Sequence, residues 1–279
     1  MDSSPTPTRL RVERVQGRDR FVVLESRPPL KWLPVRDDAS AVVFLSGYGG
    51  GAVAGDIPLI DIQAGPGSRL LVGTQAHTRV FRNPEHLRTG QFLTGRLERG
   101  SFCALLPDPI TPQSDSVWTQ SSRWTLEREA TLVVLESHTA GREGFEPAFS
   151  YSRFESLLEV DGPEGGPLLH EAYASDPVRL PPTFAGAFGT FTRVWNLFVC
   201  SPDPAFAMDA LIAALEPALE PWAGVREDLA FSFGHSRPEV WFARALARSA
   251  TALDPIAQVL RQILADPSRL GTDPLSRRP

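Results

Sequence analysis

Residues 46–82 read SGYGGGAVAGDIPLIDIQAGPGSRLLVGTQAHTRVFR, and the fold turns on how this stretch divides. A glycine cluster (Gly47, Gly49, Gly50, Gly51, Gly55) ends at Asp56. The alternating apolar segment Ile57–Ile62 follows and is closed by a Gly65-Pro66-Gly67 turn. Arg69–Gly73 then leads into the polar run Thr74-Gln75-Ala76-His77-Thr78-Arg79. Period-two alternation bounded by turn residues marks strands. Glycine allows positive φ and close approach of other backbone, so the Asp56 carboxylate is held on a backbone turn. The arrangement is site-like.

Outward from here the chain reads as β. Leu10, Val12 and Val15 alternate, break at Gly17-Arg18-Asp19, and resume in Phe21–Leu24, which predicts a hairpin. Leu30, Trp32 and Leu33 form a short strand stopped by Pro34, and Ala41–Leu45 is a buried strand feeding the glycines. Gln91–Leu97, Phe102–Leu106, Trp118–Leu126, Thr131–Leu135, Phe149–Val160, Leu168-Leu169 and Phe184–Val199 carry further strand signals. Pro107, Pro109 and Pro112 make the intervening segment stiff and extended. The total is about a dozen strands before residue 200.

The last third changes character. Asp203 and Pro204 suit the N-cap and first position of a helix, which Phe206, Met208, Leu211, Ile212, Leu215 and Leu219 extend at helical spacing until Pro217 ends or kinks it. Val225–Phe233 reads as a strand and Val240–Ala247 fits both periods. Thr251–Ala265 is helical if Asp254 caps a helix starting at Pro255. The reading is therefore mainly β, with two helices near the C-terminus. Residues 1–8 form a disordered start, 9–265 one β-rich domain, and 266–279 a polar tail.

Composition narrows the function classes. Of 279 residues, 42% are hydrophobic and 22% charged, ordinary for a globular protein, while 26 prolines and 22 glycines favour many short segments. A net charge of −5 lacks the basic footprint of a nucleic-acid binder. There is no apolar run of ~18 residues and no signal-peptide core, so a cytoplasmic location away from the membrane is expected. Cys103 and Cys200 lie far apart in apolar surroundings, which predicts two buried thiols.

The motifs GxSxG, HExxH, GxxxxGK[ST] and a helix-opening GxGxxG are all missing. The carboxylates nearest turns are Asp56, Asp61, Glu136 and Glu143; a pair of them could exchange protons or hold a divalent cation. His77 and His138 could add nitrogen ligands suited to nickel, copper or zinc. Each has an ordinary alternative: a lone acid is most often a solvated turn residue, and a lone histidine a satisfied structural one. A β-rich hydrolase with Asp56 and Glu136 roughly 5 to 9.5 Å apart, or a plain β-type binding module, are both compatible with the residues alone.

The run YGGGAVAGD, followed by GPGSRLLVGTQAHTRVFRN, resembles the urease accessory proteins of the UreD (UreH) type. Gly50, Gly51, Val53, Gly55 and Asp56 match one family motif; Gly65, Pro66, Gly67, Thr74, Ala76, Thr78, Arg79, Phe81 and Arg82 match the next. Leu106-Pro107 with Ile110, Gly141-Arg142 and Leu158-Glu159-Val160 follow at family spacing. Tyr48 and Gly49 replace two prolines, Ala54 a glycine, and the glutamate after Gly-Arg is displaced to Glu146. The tail Asp273–Pro279 lacks the family's ending.

The resemblance implies a stacked, β-helix-like fold, with Val240–Ala247 as a strand. It also implies a non-catalytic scaffold and chaperone for nickel insertion into apo-urease. Its expected partners are the urease structural subunits, a small helical accessory protein and a nickel-carrying GTPase. No cofactor would be bound permanently, nickel being in transit past Asp56, Thr78 and Glu136, with Asp56 and Glu136 as its transient ligands.

Overall fold

The computed structural model describes residues 6–37, 39–184 and 187–273. The strands are β1 (Thr8–Val15), β2 (Arg18–Glu25), β3 (Leu30–Val35), β4 (Ala41–Gly47), β5 (Leu59–Ala64), β6 (Arg69–Thr74), β7 (Thr78–Val80), β8 (Gly90–Leu97) and β9 (Phe102–Leu106). They continue as β10 (Ile110–Pro112), β11 (Val117–Leu126), β12 (Thr131–Thr139), β13 (Arg153–Asp161), β14 (Pro167–Ser175) and β15 (Arg193–Cys200). Helix α1 (Met208–Leu219), strands β16 (Gly224–Val225), β17 (Leu229–Arg237) and β18 (Val240–Ala247), and helix α2 (Ala250–Leu264) complete the order.

From β4 to β13 the chain winds between two sheets. Strands β5, β8, β11 and β13 stack in parallel on a seven-stranded sheet, while β4, β6, β9 and β12 stack in parallel on the larger one. Short strands β7 and β10 pair along a third side, where Thr78 lies opposite Ile110 and Ile110 opposite His138. The result is mainly β and solenoid-like, with coils of unequal length. Antiparallel strands finish both ends: the β1–β2 hairpin and β3 at one, β14 and β15–β18 at the other.

Burial explains the sequence patterns. In the seven-stranded sheet β13 alternates strictly, with Phe154, Ser156, Leu158 and Val160 inside and their neighbours more exposed. In the larger sheet Ala41–Leu45 is buried on both faces, because α1 and α2 cover its outer side. A sheet covered on both faces needs continuous apolar runs; one open to solvent needs alternation. The inner core between the sheets holds Ile60, Ile62, Leu70, Trp124, Leu132 and Val160, among others. Gly95 makes room there for Trp124, since a Cβ on it would lie 2.1 Å from the indole. Cys103 and Cys200 are buried free thiols, as expected.

Several boundaries differ from the sequence reading, each for a local reason. Thr8 already opens β1, and β3 runs through Pro34 because an edge strand tolerates the missing donor. Glu136, Ser137 and His138 lie within β12 and not after it. The Phe184–Val199 signal becomes a strand only from Arg193. Helix α1 starts at Met208, since Asp203 uses its carboxylate to accept from Glu129 N–H (2.9 Å) in the β11–β12 turn. The helix runs two residues past Pro217.

Helix α2 is capped by Ser249, whose Oγ accepts from Ala252 N–H (3.3 Å), so Pro255 falls in its second turn and Asp254 is no cap. Val240–Ala247 is a strand. Beyond α2, Asp266, Pro267 and Ser268 are exposed, but Leu270 is buried and Arg269 donates to the Ile263 and Ala210 carbonyls. The rest of the anticipated tail, 274–279, and residues 1–5 lie outside the described residues.

Candidate functional site

The glycine cluster folds onto β7. Ala52 N–H donates to Arg79 O (2.7 Å), and Phe81 N–H donates to Ala52 O (3.0 Å). Gly51 sits so close that a Cβ would lie 2.5 Å from Arg79 O. Gly49, Gly50 and Gly55 adopt φ of 79°, 74° and 90°, a region that only glycine enters freely. The turn delivers Asp56 half-buried. Its Oδ2 accepts from Val53 N–H (2.9 Å), its carbonyl from Gly90 N–H (2.8 Å), and Gly55 N–H donates to Thr89 Oγ1 (3.0 Å).

Asp56 lines an outer cavity of about 160 Å³, together with Thr74, Gln75, His77, Thr78 and Gln91. A second, inner cavity of about 70 Å³ is lined by Asp108, Gln120 and Glu136. Thr74, Thr78, Gln91 and Trp118 wall both, so the two are neighbouring compartments. Thr74 ties the wall together: its hydroxyl donates to Asp108 Oδ2 (3.0 Å) and accepts from Asp108 N–H (2.8 Å).

Register builds the polar interior. On the seven-stranded sheet Gln91 pairs with Gln120, and Gln120 with Ser156, giving one polar rung across β8, β11 and β13. Two residues further along each strand stand Leu93, Ser122 and Leu158; two residues back on β11 and β13 stand Trp118 and Phe154. Facing the rung from β12 is Glu136, whose Oε1 accepts from Ser156 Oγ (2.9 Å) and Gln120 Nε2 (3.2 Å). Gln120 Oε1 in turn accepts from Trp118 Nε1 (3.1 Å). Loss of water pushes the Glu136 carboxyl up to about 7, against these hydrogen bonds, which favour the anion. Next to it in β12, Ser137 Oγ is buried without a hydrogen-bond partner.

The other sequence candidates go elsewhere. His138 is buried among aromatics, its ring 4.4 Å from that of Phe154 and 5.0 Å from that of Tyr173, and burial drives it down to about 3. It lines neither cavity and is a neutral core residue, the ordinary role of a lone histidine. His77 does reach the outer cavity, with Nδ1 3.3 Å from Thr111 Oγ1. Glu143 pairs with Arg193 (2.8 Å), and Asp61 accepts from Gln63 (3.0 Å).

Arg82 pairs with Asp115 (2.6 Å) and Arg142 with Glu146 (3.7 Å), Arg79 meets the glycine loop through its backbone carbonyl, and none of the three lines either cavity. Gly65, Pro66 and Gly67 close the β5–β6 turn, Gly67 at φ 61°. Asp56 and Glu136 share no cavity. Among the described residues no three His, Cys, Asp or Glu side chains gather as a metal-holding group.

Sequence reading missed Gln91, Gln120 and Ser156. Its one available signal was Gln120 and Ser122 between Trp118 and Trp124, polar residues at inward positions of an otherwise aromatic strand face.

Fold and site together define a stacked, solenoid-like β protein with a polar interior layer behind a glycine-held carboxylate. Comparison with known proteins gives the family. Residues 6–278 match the model described as UreD urease accessory protein, and the chain belongs to that family. A protein of Sorangium cellulosum named urease accessory protein UreD is 30% identical over 271 residues, covering 95% of this chain and 81% of the relative. One of the same name from Cytophaga hutchinsonii is 23% identical over 286 aligned residues, spanning both chains fully. Urease accessory protein UreD 2 of Brucella ovis is 30% identical over 224 residues, 74% of each chain. The family places this protein in urease maturation. No helix among the described residues is long and apolar enough to cross a membrane.

Proposed function

We propose that this protein is a non-catalytic scaffold for nickel insertion into apo-urease. It bridges the urease subunits to a small helical accessory protein and a nickel-carrying GTPase, and the ion passes through its interior. The observation that carries this reading is that Thr78 walls both the cavity of Asp56 and that of Glu136. Hydroxyl and amide oxygens on that shared wall support a path from the outer carboxylate to the inner one.

The chemistry suits transit. A structural metal site closes four strong ligands around the ion, whereas scattered oxygen donors bind it weakly and let it go. Asp56 meets the ion at the outer cavity, Thr78 passes it at the shared wall, and Glu136 receives it as a carboxylate that exchanges a proton for the cation. The alternative, a hydrolase using the Asp56/Glu136 pair, needs both carboxyls around one substrate bond. Their placement in separate small compartments weighs against it.

The test is genetic and biochemical. A strain lacking this protein should fail to activate its urease, and Asp56→Ala should restore little activity while still co-purifying with urease subunits and the helical partner. Full activation in the deletion strain would defeat the reading.

A further inference from the structure

The polar layer does not stop at Glu136. In the β12–β15 ladder Glu136 pairs with Asn196, and in the β13–β14 ladder Ser156 pairs with Tyr173. Asn196 and Tyr173 line a third opening, a groove of about 680 Å³ that also involves β17 and β18. On the larger sheet one strand spacing, about 4.8 Å, separates Glu136 of the inner cavity from Asn196 of the groove, while on the seven-stranded sheet β13 stands between Gln120 and Tyr173. Glu171 and Arg244 are also groove residues, and Arg244 follows Asn196 in the β15–β18 ladder. The negative charge of Glu171 is close enough to help raise the Glu136 carboxyl.

Arg244 ties the two sheets together where the seven-stranded one ends. Its Nη1 and Nη2 donate to Glu171 Oε1 and Oε2, both at 2.8 Å, and its guanidinium lies 5.5 Å from each of the Phe198 and Phe242 rings. A fork on both carboxylate oxygens with aromatic faces beside it fixes an arginine in one pose, as a lysine ammonium would not be fixed. Beside it Arg237 Nη1 donates to Pro167 O (2.8 Å) and Leu168 O (3.3 Å), lacing the same seam.

We infer that this groove is the second opening of the interior path and that Arg244 closes it, occupying Glu171 until a divalent cation arriving by way of Glu136 takes that carboxylate over. The inference rests on the ion-route reading above. A guanidinium at the end of a cation path repels the ion and competes with it for one carboxylate, so the path stays shut when empty. The pair is partly exposed, with side-chain exposures of 43% for Arg244 and 21% for Glu171. Exposed pairs are weak, and a weak pair can yield to a divalent ion; a fully buried one would not open readily.

The test measures Ni²⁺ binding to the purified full-length chain by competition with a chromophoric chelator. Arg244→Met should tighten Ni²⁺ binding by about fivefold, the scale of one partly exposed ion pair. Arg244→Met combined with Glu171→Gln should lose that gain. Should Arg244→Met fail to fold, Glu171→Gln alone must bind Ni²⁺ more weakly than wild type. Unchanged affinity in Arg244→Met, or in Glu171→Gln, overturns the role of Arg244. If Glu136→Gln still weakens binding in that case, the route survives without this gate. If Asp56→Ala, Glu136→Gln and Arg244→Met all match wild type, both readings fall.

Discussion

Ser156 Oγ stands 2.9 Å from Glu136 Oε1, its hydroxyl donating to a carboxylate that the surrounding protein has largely deprived of water. The carboxyl consequently rises from its usual 4.5 to about 7. An acid raised on folding binds more protons native than unfolded, so its stabilising effect is full below pH ~4.5 and is lost as pH rises through ~7. Glu136→Gln should flatten that part of the pH dependence and gain stability over wild type at pH 8 by up to about 3 kcal/mol. Urea unfolding at pH 5.5 and 8 checks this; parallel pH profiles for the two proteins would show that Glu136 is not buried as described.

His138 titrates in the opposite sense. Burial holds it neutral, down to about 3, so the native state binds fewer protons than the unfolded chain below pH ~6.5 and stability falls as pH drops through that window. Near pH 5 the loss is about 2 kcal/mol. His138→Phe keeps a ring against Phe154 and Tyr173 and should remove this acid sensitivity. Thermal melts at pH 5 and 7.5 are the measurement, and an equal acid loss in the variant would contradict the assignment.

Gly51→Ala places a methyl group 2.5 Å from Arg79 O, against backbone that cannot rotate away. The glycine turn must lift off β7, with a stability cost of about 1–3 kcal/mol. Gly47→Ala is the control, since nothing lies within 4 Å of its Cβ position and its φ is negative. Urease activation should fall in the first variant and hold in the second. Equal melting temperatures in the two would deny the close packing of the mouth.

Much of this architecture could be read from the chain. The apolar residues Phe154, Leu158 and Val160 announced a strand, and the unbroken Ala41–Leu45 run a buried one. Asp56 stood out because glycines set it on a turn. The polar rung did not, because Gln91, Gln120 and Ser156 lie far apart in sequence and meet only through parallel register. His138 kept ligation open as an alternative because its aromatic neighbours Phe154 and Tyr173 arrive from later strands. Helix starts were misplaced where a side chain had another task, as Asp203 has at the β11–β12 turn.

The decisive position is Thr78, because it walls both cavities. Thr78→Phe fills the shared wall with an apolar ring while leaving Asp56 and Glu136 in place. The measurement is the nickel content of urease matured in cells carrying this variant, with co-purification of urease and partners confirmed. An interior route requires assembled complexes that yield nickel-poor, inactive urease. Fully nickel-loaded urease from Thr78→Phe cells would contradict passage through the interior.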